Sequence, residues 1–106
     1  MTRTIDIDTL AARHADGAFV LDVREPGEYV AGHVAGAVLA PMSRITSMLP
    51  EIPKDRTIHV ICQSGTRSRS MADLLTAMRL DAVSVDGGTA AWAASGRPLV
   101  HGSAAA

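Results

Sequence analysis

Residues 57–68 read Thr-Ile-His-Val-Ile-Cys-Gln-Ser-Gly-Thr-Arg-Ser and place the only cysteine of the chain, Cys62, between two predicted elements. The apolar run 57–61 is typical of a strand, and residues 70–78 carry the apolar spacing of a helix. A thiol at such a junction lies near backbone N–H groups and the positive end of the helix dipole, which both favour an anion. The stretch therefore predicts an α/β unit whose junction holds a thiolate.

Residues just after Cys62 favour the same interpretation. Gly65 permits positive φ angles, so several backbone N–H groups can turn towards one point. Arg67 brings a positive charge that lowers a nearby thiol pKa further. Hydroxyl groups that can donate hydrogen bonds to the loop or to a substrate are carried by Ser64, Thr66 and Ser68. Cys62 is accordingly predicted to be a nucleophile, which we favour over an inert buried thiol.

Strand and helix patterns alternate along the rest of the chain. Further strands are predicted at 19–21, 37–40 and 83–85, and further helices at 8–14, 25–30, 43–49 and 90–94. Such alternation is typical of an α/β fold with a largely parallel sheet covered on both faces.

Within these elements, some residues have predicted structural roles. Asp8 is expected to cap the first helix, and Ser43 is expected to cap a later one that Pro50 and Pro53 end. The helix after Cys62 is expected to pack one apolar stripe against the core. This stripe consists of Met71, Leu74, Leu75 and Met78. Trp92 is expected to anchor the core from the last helix.

Length and composition limit the functional classes. The 106 residues fit a single domain over 1–100, with a disordered tail at 101–106, and the 47% hydrophobic content supports a buried core. A formal net charge of -1 argues against nucleic-acid or anionic-membrane binding. No apolar stretch approaches the roughly 20 residues that cross a bilayer. With one cysteine and no metal-ligand or signal-peptide pattern, we expect a cytoplasmic protein without a metal or other cofactor.

Motifs in order along the chain resemble those of single-domain rhodanese-like sulfurtransferases. The segments that carry the resemblance are 21–25 (Leu-Asp-Val-Arg-Glu), 28–37 (Glu-Tyr-Val-Ala-Gly-His-Val-Ala-Gly-Ala), 60–68 (Val-Ile-Cys-Gln-Ser-Gly-Thr-Arg-Ser) and 86–92 (Asp-Gly-Gly-Thr-Ala-Ala-Trp). The resemblance extends from about residue 5 to residue 99, nearly the whole chain.

The resemblance implies a three-layer α/β/α fold with a central, mostly parallel five-stranded sheet. It also implies that Cys62 is the catalytic residue, which accepts a sulfane sulfur from a donor such as thiosulfate and passes it on from a persulfide to a thiol or cyanide. The persulfide and substrate would be bound by the loop residues Gln63, Ser64, Gly65, Thr66, Arg67 and Ser68. Because the chain has no second cysteine, the acceptor is expected to be a small molecule or a sulfur-relay partner protein.

Other functions stay open at this point. Four residues separate Cys62 from Arg67, whereas the related cysteine phosphatases and arsenate reductases carry a longer loop that encircles a tetrahedral anion. The shorter loop favours sulfur transfer over that alternative. The other alternative is a persulfide carrier or a regulatory interaction module, although modules without catalysis commonly lack the cysteine.

Several charged residues outside the loop are given structural roles. Arg24 and Glu28 have the spacing of a helix-surface ion pair, and Asp22 could cap a turn. Arg24 and Arg69 are candidates for the rim of the pocket. His33 is expected to hydrogen-bond the backbone. No functional role is assigned to His59, whose ring is expected to face away from the Cys62 loop or to be half buried.

Overall fold

The computed structural model describes residues 2–106. The centre of the fold is a parallel sheet of five strands. The strands are β1 (Thr4–Ile5), β2 (Phe19–Asp22), β3 (Val38–Leu39), β4 (Ile58–Ile61) and β5 (Ala82–Val85). They lie in the order β1-β5-β4-β2-β3, and every pairing between them is parallel. The predicted five-stranded sheet is therefore confirmed, and β4, which precedes Cys62, is its central strand.

Helices cover both faces of this sheet. They are α1 (Ile7–Ala15), α2 (Pro26–Ala31), α3 (Thr66–Ala77), α4 (Gly88–Ala94) and a 3₁₀ helix at Ile45–Glu51. Because side chains alternate along a strand, Leu21 packs with α3 and the 3₁₀ helix, whereas Val20 packs with α1, α2 and α4. The predicted three-layer α/β/α arrangement is thus confirmed. The carboxyl ends of the strands meet at one edge, where Cys62 follows β4.

The cap of α1 differs from the prediction, which placed it at Asp8. Asp6 is the N-cap: its backbone is extended (φ -88°, ψ 174°), and its carboxylate accepts a hydrogen bond from the backbone N–H of Thr9 at 2.8 Å. A capping residue needs this non-helical backbone and a donor three residues on. Asp8 instead lies in the first turn, where its charge faces the positive end of the helix dipole.

The helix predicted after Ser43 is also different in type. Residues 45–51 form a 3₁₀ helix that follows Arg44, without a side-chain cap, and Pro50 lies inside it. Proline lacks the N–H that an α-helical hydrogen bond would need and clashes with the preceding turn. A short 3₁₀ segment tolerates it more easily, and Ile45 still reaches the core from there.

The buried face of α3 matches the predicted stripe of larger apolar residues only in part: Leu75 is fully buried, as predicted. The helix begins at Thr66, before the predicted start at Ser70, and it buries Ser68, Ala72 and Leu75 against the sheet. Met71 and Leu74 are only partly buried, and Met78 at the C-cap is 44% exposed. The buried face therefore combines two small residues, Ser68 and Ala72, with one large apolar residue, Leu75.

The C-terminal segment lies beside the residues between α2 and β3. Val100 forms an antiparallel bridge with His33, and the backbone N–H of Gly36 donates to the Ala105 carbonyl at 2.7 Å. The His33 ring lies between two carbonyl groups: Nδ1 is 2.8 Å from the Tyr29 oxygen, and Nε2 is 2.9 Å from the Ala104 oxygen. The expected backbone role of His33 is confirmed, while disorder of residues 101–106 in solution stays a prediction.

The start of α4 packs directly onto the chain at Cys62. The backbone N–H of Thr89 donates to the Cys62 carbonyl at 2.8 Å, and that of Ala90 donates to the Gln63 carbonyl at 3.0 Å. Gly88 has a φ of +60°, and a Cβ built there would lie 2.5 Å from the Cys62 carbonyl oxygen. Only glycine therefore allows α4 to approach the end of β4 this closely.

We expect Gly88→Ala to lower the free energy of unfolding by about 3 kcal/mol, because a residue with a Cβ is disfavoured at positive φ and also overpacks the site. Gly17→Ala is the matched control: Gly17 has a φ of +83°, but a Cβ there would meet no atom within 4 Å. The control should lose only about 1 kcal/mol, the conformational part of the effect. Chemical denaturation of both variants measures the difference, and equal losses would refute the close approach.

Candidate active site

Cys62 lies at the carboxyl end of the central strand and is 1% exposed. The backbone N–H of Gly65 donates a hydrogen bond to Cys62 Sγ at 3.1 Å, and Ser68 Oγ lies 3.5 Å from the same sulfur. The loop after β4 therefore folds back so that its main chain and the first turn of α3 face the thiol.

Opposing effects act on the pKa of Cys62. Burial raises it, whereas the Ser68 hydroxyl and the backbone amides of Ser68, Gly65 and Ser64 stabilise the thiolate and lower it. The hydrogen bonds together outweigh burial, so the pKa of Cys62 lies below its ordinary value. A buried thiol in apolar surroundings would behave in the opposite way. The loop thus has the electrostatics of a site that holds an anion.

Gly65 makes this geometry possible. Its φ of +105° lies in the left-handed region, as the sequence predicted, and it precedes the first residue of α3. A Cβ at this position would also lie 3.3 Å from the backbone nitrogen of Gly87. A side chain at residue 65 would therefore both strain the loop and push it from the start of α4.

A second hydroxyl lies behind Ser68. Ser84 in β5 is fully buried, and its Oγ is 2.8 Å from Ser68 Oγ, which lies 3.1 Å from the Gly65 carbonyl oxygen. Ser84 thus fixes the side chain that faces the sulfur. Sequence reasoning missed this residue, although a serine within the apolar strand Ala82–Val85 is a signal of a buried polar contact.

Arg67 is bound to a carboxylate in the structure. Its two terminal nitrogens donate to the two carboxylate oxygens of Glu28 at 2.7 and 2.8 Å. The hydrogen bonds from Arg67 hold the pKa of Glu28 at about 2, and Glu28 in turn raises the pKa of Arg67. The predicted pair between Glu28 and Arg24 is wrong, because α2 directs Glu28 across to α3.

Arg24 instead forms a buried pair with Asp22. Its Nε and one terminal nitrogen donate to the Asp22 carboxylate at 3.0 and 2.8 Å, and the Asp22 carboxylate also accepts the backbone N–H of Arg24, as a turn cap does. The remaining donors reach the Gly32 carbonyl at 2.8 Å and Gln63 Oε1 at 3.1 Å. Because every nitrogen has an acceptor, this buried charge is compensated and supports the loop through Gln63.

A cavity of about 340 Å³ lies beside the loop. Arg24, Glu28 and Gln63 form its polar side, and the apolar side is formed by Ala90, Ala93 and Leu99. The outer side chains of the loop are exposed: these are Gln63, Ser64 and Thr66. Arg69 points elsewhere and pairs with Asp86 at 3.1 Å. The polar wall therefore combines Glu28 of α2 with the residues that follow two strands, Arg24 after β2 and Gln63 after β4.

A larger cleft of about 690 Å³ lies at the opposite ends of the strands, lined by Arg3, Arg13, Arg56 and His59 among others. His59 is 3% exposed and uses Nδ1 to donate to the Phe19 carbonyl at 2.9 Å, and burial lowers its pKa. As predicted, it is far from the Cys62 loop. No cysteine lines this cleft, so the thiolate chemistry is assigned to the Cys62 edge.

Two further observations concern residues 2–106. Within this range no group of histidine, cysteine and carboxylate side chains is arranged to hold a metal ion. None of the helices described there combines the length and the apolar character needed to cross a membrane.

Comparisons with known proteins agree with this geometry. The family model of the rhodanese-like domain matches residues 6–95. A sulfurtransferase of Allochromatium vinosum is 38% identical over 103 residues, which cover 94% of this chain and 96% of that protein. The thiosulfate sulfurtransferase GlpE of Pseudomonas entomophila is 32% identical, and the match covers 85% of this chain and 84% of GlpE.

Solved structures give the same result. A rhodanese-related protein of Thermoplasma volcanium superposes with a TM-score of 0.86 at 33% identity, covering 92% of this chain and 97% of that one. The family match spans β2 to β5, the Cys62 loop and α4, all of which the structure brings together. The chain therefore belongs to the rhodanese-like domain family.

Proposed function

We propose that this protein is a sulfurtransferase that moves a sulfane sulfur from a donor such as thiosulfate to a thiol or cyanide through a persulfide on Cys62. The observation that carries the proposal is the Cys62 sulfur itself, which accepts the Gly65 amide at 3.1 Å and has a lowered pKa. Relatives named sulfurtransferase, one of them a thiosulfate sulfurtransferase, support the reaction class.

The reaction needs only the thiolate and the two substrates. The Cys62 thiolate attacks the outer sulfur of thiosulfate, a new S–S bond forms on Cys62, and sulfite leaves with the electron pair of the broken S–S bond. Cyanide, or an acceptor thiolate, then attacks the outer sulfur of the persulfide. Thiocyanate or a new organic persulfide departs, and the Cys62 thiolate is regenerated without a cofactor.

The loop supplies the stabilisation. The backbone amides of Ser64, Gly65 and Ser68 face the sulfur, so they can hold the negative charge of the outer persulfide sulfur as they hold the thiolate. Gln63 and Thr66 have exposed side chains that can meet a substrate, and Arg67 can offer its guanidinium to an anionic donor when Glu28 releases it.

The acceptor must come from outside the chain, because Cys62 is its only cysteine. A small thiol, cyanide or a sulfur-relay partner protein can fill this role. A lone thiolate that must stay reduced between turnovers also suits a reducing compartment such as the cytoplasm.

Incubation with thiosulfate should add one sulfur, about 32 mass units, to the protein, because the thiolate forms a stable covalent intermediate. Intact mass spectrometry measures the adduct, and peptide mapping should place it at Cys62. Cyanide should remove it and release thiocyanate.

Cys62→Ser is the control, since it keeps the shape of the side chain but removes the nucleophile. An adduct that persists in this variant would contradict the assignment. Turnover of phosphate esters or arsenate without any sulfur uptake would favour the phosphatase-like reaction instead.

The rate of Cys62 alkylation should rise at a pH below the value of about 8.5 that an ordinary thiol shows. Ser68→Ala should move this midpoint upwards by about one pH unit, because the thiolate loses a charge-assisted hydrogen bond. Ser70→Ala is the matched control, since Ser70 lies on the same helix but is exposed. The midpoint of alkylation against pH gives the result, and an unchanged midpoint in Ser68→Ala would show that the hydroxyl does not act on the sulfur.

A further inference from the structure

Arg67, the cation closest in sequence to the nucleophile, is not free for an anionic substrate. Both of its terminal nitrogens are taken by the two carboxylate oxygens of Glu28, and both side chains are only 35% exposed. Arg24, the other cation beside the loop, is neutralised by Asp22. The polar side of the mouth is thus made of matched charges and has no surplus positive charge.

The Glu28 carboxylate is also held in place from its own helix. It accepts the backbone N–H of Glu25 at 3.1 Å within a capping box at the start of α2. The carboxylate therefore cannot turn far from the mouth without breaking this cap. A donor that binds Arg67 must displace Glu28 from the guanidinium and then remain beside its negative charge.

The cavity next to the loop suits a different kind of donor. One wall is apolar and consists of Ala90, Ala93 and Leu99, and the whole cavity measures about 340 Å³. This space can hold the organic part of a small thiol compound, which thiosulfate lacks.

We propose that Glu28 is a specificity-determining residue, which occupies Arg67 and thereby disfavours dianionic donors such as thiosulfate relative to organic persulfides with at most one negative charge. This inference rests on the proposed sulfur transfer through Cys62. Thiosulfate is then a working but slow donor, and the preferred donor is a small organic persulfide.

The step with an organic persulfide balances without a further reagent. The Cys62 thiolate attacks the outer sulfur of R–S–SH, the Cys62 Sγ–S bond forms, and the S–S bond of the donor breaks. The thiolate R–S⁻ leaves with the electron pair, takes up the proton of the transferred sulfur and departs as R–SH. The product is the Cys62 persulfide anion, the same species that thiosulfate gives.

Glu28→Gln tests the proposal, because glutamine can keep the capping box while it removes the charge that holds Arg67. Sulfur uptake at Cys62 is followed by rapid-quench mass spectrometry with thiosulfate and with 2-hydroxyethyl persulfide. We expect the rate constant at low donor concentration to rise about tenfold for thiosulfate and to change less than about threefold for the persulfide.

The dependence on salt gives a second readout. In Glu28→Gln the thiosulfate rate should fall as ionic strength rises, since a free guanidinium then attracts the dianion, whereas the unmodified protein should show little dependence. Glu51→Gln is the charge-matched control: Glu51 is exposed at the end of the 3₁₀ helix and should leave both rates unchanged. The double variant Glu28→Gln/Arg67→Ala should lose the gain, which assigns it to the released arginine.

The outcomes separate this inference from the proposed function. A selective gain for thiosulfate that depends on Arg67 supports both. Equal thiosulfate rates in Glu28→Gln and the unmodified protein, or an equal gain for both donors, would overturn the role of Glu28 while sulfur transfer stands. If neither the unmodified protein nor any variant takes up sulfur at Cys62 from either donor, both proposals are wrong.

Discussion

The hydrogen bond from the Gly65 amide to Cys62 Sγ is the contact on which the rest of the site depends. The chain turns at Gly65, which has a positive φ and immediately precedes α3. The turn is fixed from behind by the start of α4, where Gly88 allows the backbone to approach the Cys62 carbonyl. Two glycines far apart in the sequence thus shape one anion-binding loop. Burial raises the pKa of the Cys62 thiol, but the Ser68 hydroxyl and the backbone amides of Ser68, Gly65 and Ser64 together lower it further.

Charge at the mouth is arranged in pairs rather than as one positive patch. The Asp22–Arg24 pair is buried and compensated, and it stabilises the loop through the contact with Gln63. The Arg67–Glu28 pair is 35% exposed and lies at the mouth of the site. Main-chain amides and the Ser68 hydroxyl stabilise the sulfur, and in the reaction proposed above the side-chain charges act on the choice of donor. This division separates the chemistry of the loop from the choice of donor.

The alternation of strand and helix patterns predicted β2 to β5, the family resemblance implied the fifth strand, and the residues from Cys62 to Arg67 were enough to predict the loop. Local patterns could not predict partners across the fold. Arg24 and Glu28 have the spacing of a helix pair, yet Arg24 turns to Asp22 and Glu28 reaches Arg67 on another helix. The Glu28–Arg67 pairing depends on how the fold brings α2 and the first turn of α3 to the same edge of the sheet, which is a tertiary property.

The most direct measurement of the central claim is a high-resolution structure of the protein after reaction with a sulfur donor. The account predicts a persulfide on Cys62 whose outer sulfur lies within hydrogen-bond distance of the backbone N–H groups of residues 64–68. An outer sulfur that points away from these amides and contacts only side chains would contradict it. So would a Cys62 that stays unmodified after full exposure to thiosulfate and an organic persulfide.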